Sequence, residues 1–344
     1  MSRPCRCCIV ASCLTAIALI GCREENPALG GDANKNRNAS TEDLHRTPPA
    51  ARFKITCTTG MITDTVRRIA SDRADVLGII GEGVDPHLYQ ATRSDVLALT
   101  SADVVYYNGL LLEGRMTDTF IKVARQRPVY AVTDLIDESI LIVPAALGGH
   151  PDPHVWMDPS LWSICAKQVA ITLGNLDPPR RETFVANHAK FAEELTQLDA
   201  YARKCLDSVP ERSRVLVTAH DAFRYFARAY GMEVHGIQGI STESEAGIAD
   251  INRLVDLLVT REVKAVFIES SVSDKNIRAL IEGAAARGHT VTIGGTLYSD
   301  AMGKPGTYEG TYVGMIDHNV TTITRSLGGD APIRGLHGKL SFEK

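Results

Sequence analysis

From residue 53 onward, short runs of β-branched and aromatic residues alternate with stretches whose apolar positions recur at helical spacing. In the first half, residues 53–57, 75–80, 103–107 and 128–132 read as strands, with helical stretches between them such as 63–71 and 94–101. The second half repeats the grammar, with strands at 214–218, 233–237, 264–269 and 290–293. Its helices are expected at 221–229, 248–261, 274–287 and 309–326. Strands that alternate with helices imply crossover connections and parallel sheets. No sequence repeat at a fixed period relates the halves, so any likeness between them is architectural.

Between the halves lies one long amphipathic stretch, 178–209. Phe184, Phe191, Leu195, Leu198, Ala202, Cys205 and Val209 are spaced 7, 4, 3, 4, 3 and 4 residues apart, a single apolar stripe on a helix. Pro178 and Pro179 suit its first turn, and Pro210 ends it. The 31 residues 178–208, at about 1.5 Å rise each, span roughly 46 Å. The expected fold is therefore α/β: two βα lobes (53–177 and 210–344) with parallel sheets, bridged by one long rigid helix. A continuous helix offers no loop to absorb backbone rotation, so wide hinge opening is disfavoured.

The first 52 residues follow a different pattern. Arg3 and Arg6 precede an apolar stretch from residue 9 to 20. It is too short to span a bilayer, which takes about 20 residues, but suits the core of an export signal over residues 1–21. It ends in Leu19-Ile20-Gly21-Cys22, which resembles a bacterial lipobox, where the chain is cut before a cysteine that then carries lipid. Cys22 would thus tether the protein to a membrane. Residues 22–52 are rich in Asn, Gly, Pro and charge and nearly devoid of large apolar side chains, as in a flexible tether.

Composition changes this picture little. The 344 residues are 44% hydrophobic and 23% charged, ordinary values that exclude collagen, coiled coil and wholesale disorder. The formal charge of −4, or −6 once the two arginines of the signal are removed, argues against a nucleic-acid partner. After processing, Cys57, Cys165 and Cys205 remain beside Cys22. Their separation suits neither a disulfide framework nor a thiolate metal cluster, and they read as buried small residues.

The chemistry concentrates in histidines. Of the ten, His45 falls in the tether, and His188, His235, His289, His318 and His337 fall where a surface or hydrogen-bonded histidine is the simpler reading. Three are placed differently. His87, in Asp85-Pro86-His87, and His220 follow strands. His154, in Asp152-Pro153-His154, sits in a second Pro-fixed loop. Asp300 lies beyond the last expected strand. Loops past the carboxyl ends of parallel strands border the crevice where α/β proteins bind ligands, and imidazole is the commonest neutral metal ligand. Two candidates precede the linking helix and two follow it, so a common cation would sit in the interlobe crevice. Spacing alone does not bring them together.

Asp85-Pro86-His87, His154-Val155-Trp156-Met157-Asp158-Pro159, the run His220 to Gly231, and Tyr298-Ser299-Asp300 resemble, in order, the motifs of the cluster A-I substrate-binding proteins, metal-binding lipoproteins of ABC transporters for zinc and manganese. The segment 238–246 and the closing Gly310-Thr311-Tyr312 are similar to the same family, and the match covers about 53–328. The resemblance implies that His87, His154, His220 and Asp300 are the metal ligands. It further implies that the cargo is zinc or manganese, and that the partner is an ABC permease. It implies an exported protein, lipid-anchored and facing the periplasm or cell exterior, and a monomer is expected.

Three imidazoles and a carboxylate suit tetrahedral zinc, while a bidentate Asp300 would admit manganese. Family members dedicated to manganese typically have Glu at the position of His220, which tilts this chain toward zinc. The His-rich loop of many zinc members is missing, His150 being the only histidine in 139–153. Glu113 and Glu269 are candidates to orient the imidazoles. Asp221 reads as a helix-start residue, and Trp156 and Tyr225 as packing residues. Two other functions are compatible with such a chain: a surface adhesin with a structural metal, and a zinc hydrolase with Asp300 as base. Against the hydrolase, the sequence has no His-Glu-x-x-His, no nucleophile elbow and no activated-thiol context. An enzyme is not expected. Protons should compete for the imidazoles below about pH 6.

Overall fold

The computed structural model describes residues 52–341. The signal segment, Cys22 and the tether up to residue 51 lie outside the described residues. The chain enters as β1 (Phe53–Cys57), α1 (Gly60–Ala70), β2 (Ala74–Gly78), α2 (Arg93–Ser101), β3 (Val104–Tyr107), α3 (Thr117–Ala124) and β4 (Val129–Ala131). These strands form one all-parallel sheet in the order β2-β1-β3-β4. Strand order reverses beside β1, which opens a crevice at the carboxyl edge between β1 and β3.

Two helices follow. α4 (Pro159–Leu176) begins with Asp158 accepting the Ser160 N–H and with proline at its first position. After a tight turn, α5 (Arg181–Asp207) packs along it. Every member of the stripe predicted for the linking helix is buried, Val209 just past its end. Pro178–Arg180 form a 3₁₀ turn rather than the first α-turn, so the helix is about 40 Å long. The spacing of apolar residues in the sequence does not mark α4 as a helix. Most of its faces are buried, so it shows no sharp polar stripe.

The second half comprises β5 (Val215–His220), α6 (Arg224–Tyr230), β6 (Glu233–Gln238), α7 (Ile248–Thr260), β7 (Ala265–Glu269), α8 (Lys275–Ala286), β8 (Thr292–Leu297) and α9 (Tyr312–Ser326). Its strands pair in parallel as β5-β6 and β7-β8, with β5 packed beside β7. The predicted strand 290–293 in fact runs on to Leu297. Gly294 and Gly295 read as a strand end in the sequence. Here Gly294 is the extra residue of a bulge, since Val266 pairs Ile293 while Phe267 pairs Gly295. A Cβ on Gly294 would lie 2.7 Å from the Phe267 ring.

One apolar core joins both halves. Trp162 of α4 stacks on Tyr312 of α9, with ring centroids 5.4 Å apart and 14° between planes, and Phe191 of α5 meets Tyr312 edge-on. All three are buried. Each large apolar side chain buried here contributes about 1.5–3 kcal/mol. Parting the halves would expose this cluster, so the shared core as well as the stiff helix restrains hinge motion. Among the described residues no helix is long and apolar enough to cross a membrane, and Cys57, Cys165 and Cys205 are buried free thiols.

Candidate metal centre

Four side chains from four different loops and strand ends meet in the crevice. His87 follows β2 in an Asp-Pro-His turn, where Asp85 Oδ1 accepts the His87 backbone N–H at 2.8 Å. Asp152-Pro153-His154 folds the same way, with Asp152 Oδ1 accepting the His154 N–H at 2.9 Å. His220 is the last residue of β5, a strand buried along its whole length. Asp300 sits in the loop after β8. That loop is pinned by Asn319, whose side chain pairs with the Tyr298 backbone in both directions, and by Trp156 Nε1, which donates to Ser299 O at 2.8 Å. Trp156 thus holds the Asp300 loop of the other half without facing the centre with a donor atom.

The distances describe a small polyhedron. His87 Nε2 and His154 Nε2 are 3.2 Å apart. Asp300 Oδ1 lies 3.3 Å from His154 Nε2, and Asp300 Oδ2 lies 3.2 Å from His220 Nε2 and 3.9 Å from His87 Nε2. One donor atom from each residue falls within 4.8 Å of the other three. A tetrahedral ion with bonds of about 2.0–2.2 Å separates its ligand atoms by about 3.3–3.6 Å. His220 Nε2 and both Asp300 oxygens are buried with no well-directed hydrogen-bond partner. Buried polar atoms are seldom left so, and their lone pairs converge on a common point that one divalent cation would satisfy.

Two of the imidazoles are oriented by carboxylates. Asp152 Oδ1 also lies 2.7 Å from His154 Nδ1, and Glu269 Oε2 lies 2.5 Å from His220 Nδ1 while Oε1 accepts the His220 N–H at 2.8 Å. A carboxylate at Nδ1 places the ring proton there and leaves the Nε2 lone pair for a cation. Glu269 was expected in this role. Glu113 was expected too, and the structure places it elsewhere: its Oε1 accepts from the Thr58 hydroxyl and the Asn108 N–H. It touches no imidazole, and acts only at a distance, through Asn108 Nδ2 bonded to Pro153 O. Asp152 was not foreseen as an orienting group, although its position two residues before His154 in a proline-fixed turn was a readable signal.

Charge in the crevice is unevenly shared. Burial pushes His87 down to about 3, against Asp300 and with the help of the two other imidazoles. Burial also disfavours charge on His154, yet Asp152 and Asp300 overcome it and push the ring up to about 9. His220 is raised well above its ordinary value, burial being outweighed by Glu269 and Asp300. Asp300 is held well below the usual carboxylate range, since His220 and His154 outweigh its burial.

The remaining predicted residues sort plainly. Asp221 pairs with Arg224 at the start of α6. Tyr225 packs, its hydroxyl donating to Asp152 O. His188, His289 and His318 each contact a backbone carbonyl, and His235 contacts Glu233. A Cβ on Gly236 would lie 2.4 Å from Asp221 N, so the close approach of β6 to the His220 corner requires glycine.

The family described as zinc-uptake complex component A, periplasmic, matches residues 55–326. The manganese-binding lipoprotein MntA of Bacillus subtilis is 48% identical over 276 residues, 80% of this chain and 90% of its own. The zinc-binding protein TroA of Treponema pallidum is 47% identical over 273 residues, 79% of this chain and 88% of its own. A solved structure of the periplasmic zinc-binding protein TroA superposes with a TM-score of 0.78 at 46% identity, covering 80% of this chain and 99% of that one. The chain belongs to this family, the substrate-binding proteins of metal ABC transporters, which carry a cargo and catalyse no reaction.

Proposed function

We propose that His87, His154, His220 and Asp300 bind one divalent transition metal, zinc or manganese, which the protein delivers to an ABC permease for import. The observation that carries this is the convergence of four buried donor atoms, three nitrogens and a carboxylate, from both halves of the chain. The donor set of three imidazole nitrogens and one carboxylate favours zinc. Both Asp300 oxygens face the imidazoles, so a bidentate carboxylate can raise the coordination number and accept manganese. The similar proteins named for zinc and for manganese are consistent with either cargo. In this reading residues 53–177 and 210–344 act as lobes joined by 178–209. The export signal 1–21 is removed, and Cys22 carries the lipid that keeps a monomer at the membrane.

Elemental analysis of the purified protein, followed by competitive zinc and manganese titration, tests the assignment. About one tightly held equivalent is expected, with zinc displacing manganese. A protein that takes up neither metal, or that holds several equivalents equally tightly, would overturn it.

A further inference from the structure

His154, His220 and Asp300 are almost completely sealed, and His87 is the ligand at the edge. It borders a surface cavity of about 420 Å³ whose walls come from both halves, Leu111, Arg115 and His150 on one side and Ile240, Ser241 and Glu243 on the other. Among the described residues no carboxylate grips the His87 ring as Asp152 and Glu269 grip the inner two. What holds His87 is its backbone turn, through Asp85 Oδ1.

The second oxygen of that same carboxylate is held from across the cleft. Asp85 Oδ2 accepts the hydroxyl of Thr242 at 2.5 Å. Thr242 is buried, in the segment between β6 and α7. Its neighbour Glu243 pairs with Arg115 at 3.1 Å, but both partners of that pair are well exposed. Asp85 therefore joins the His87 turn to the opposite half by one half-buried contact, with an exposed ion pair beside it.

We infer that Thr242 is a positioning residue for His87. It clamps the Asp85-Pro86-His87 turn from the opposite half, and when the segment carrying it lifts, His87 is the first ligand to leave the metal. The cavity then becomes the route by which water reaches the ion. This rests on the metal-binding reading above. Because the contact forms only when the two halves meet, it should govern release far more than capture.

The experiment compares metal release from the wild type, Thr242→Val and Thr242→Ser, by stopped-flow transfer of zinc to a chelator. Thr242→Val keeps the shape and removes the hydroxyl, leaving Asp85 Oδ2 without its partner. Release should accelerate about tenfold, within what a hydrogen bond to a charged group contributes. The association rate should stay unchanged, and Thr242→Ser should restore slow release. The cobalt-substituted protein provides an independent signature: its visible d–d bands should shift in Thr242→Val and return in Thr242→Ser. Glu243→Gln cuts only the exposed pair and should change release by less than about twofold. Release from Thr242→Val at the wild-type rate, or an equal effect of Glu243→Gln, would overturn the role of Thr242. His154→Ala separates the two readings. If it binds zinc with wild-type affinity, the metal-binding reading itself fails. If its affinity collapses while Thr242→Val behaves as wild type, only the present inference fails.

Discussion

Asp85-Pro86-His87 and Asp152-Pro153-His154 are the same tripeptide folded into the same turn, and they are wired differently. In both, the aspartate takes the histidine N–H two residues on. Asp152 is completely buried and turns the same oxygen onto the ring of its own histidine. Asp85 lies nearer the surface and gives its other oxygen to Thr242. One turn therefore grips an imidazole directly, while the other holds only the backbone and depends on the opposite half of the molecule. On the far side of the crevice His220 resembles the gripped case, with Glu269 playing the part of Asp152. The comparison teaches that histidines of identical local sequence need not be equivalent: His154, like His220, is preorganised from behind, and His87 is left adjustable at the mouth.

The largest test of that difference is removal of the rings themselves. His154→Ala or His220→Ala should weaken zinc binding by about a thousandfold or more, beyond the 10–100-fold typical of losing an orienting partner. His87→Ala should cost less and act mainly by accelerating release, because its ring carries no carboxylate-held preorganisation. Isothermal titration and chelator competition on the three variants measure the ranking. Equal losses at all three positions would erase the distinction between inner and outer ligands.

Next comes pH. His154 is raised to about 9 and His220 is raised well above its ordinary value, whereas His87 is already neutral at neutral pH. The metal-free protein therefore carries protons on the two inner rings that a cation must displace. The sign follows: affinity falls as pH falls, and one of the two contributions levels off as pH rises through about 9. Near pH 7 about two protons should leave per metal bound, so affinity should change by about a hundredfold per pH unit. Competition thus starts well above the pH 6 expected for unperturbed imidazoles. Titration in buffers of different ionisation enthalpy counts the released protons. A count of zero at pH 7 would mean that the inner rings are not held as described.

Much of this was legible in the sequence, for identifiable reasons. The strand and helix alternation reflects two periods of apolar burial, and the stripe from Phe184 to Cys205 is one face of α5. His87, His154, His220 and Asp300 stood out because they follow strands or prolines. What was not legible depends on contacts between distant residues. α4 lacks a polar stripe because it is covered on most sides. The Gly294-Gly295 step looks like a strand end until the Phe267 ring fills the space beside it. Glu113 and Glu269 are both buried acids near strand ends. Only the packing of β7 beside β5 sends one of them to an imidazole, while the other supports the Asn108 turn. Thr242 lies in the segment 238–246 that resembles the family, but its pairing was not legible, since its partner lies 157 residues away.

The finest test applies one substitution to both turns. Asp152→Asn leaves an acceptor for the His154 N–H but replaces the charge that orients the ring. An amide presents no anion to the Nδ1 proton and can turn its own donors toward that nitrogen, favouring the wrong tautomer. Affinity should fall about 10–100-fold, the range seen when a partner of a metal-bound histidine is lost. Asp85→Asn should matter far less. Its amide oxygen can still accept the His87 N–H, and its NH₂ can donate to the Thr242 hydroxyl, so both bonds of the bridge persist with their direction reversed at Thr242. Only the charge is lost, and no imidazole depends on it. The expected cost is a few-fold, about the difference between a charged and a neutral hydrogen bond. Zinc affinities of the two variants, measured side by side, decide the matter. If Asp85→Asn were as damaging as Asp152→Asn, the charge of Asp85 would itself belong to the centre, and the two turns would be equivalent after all.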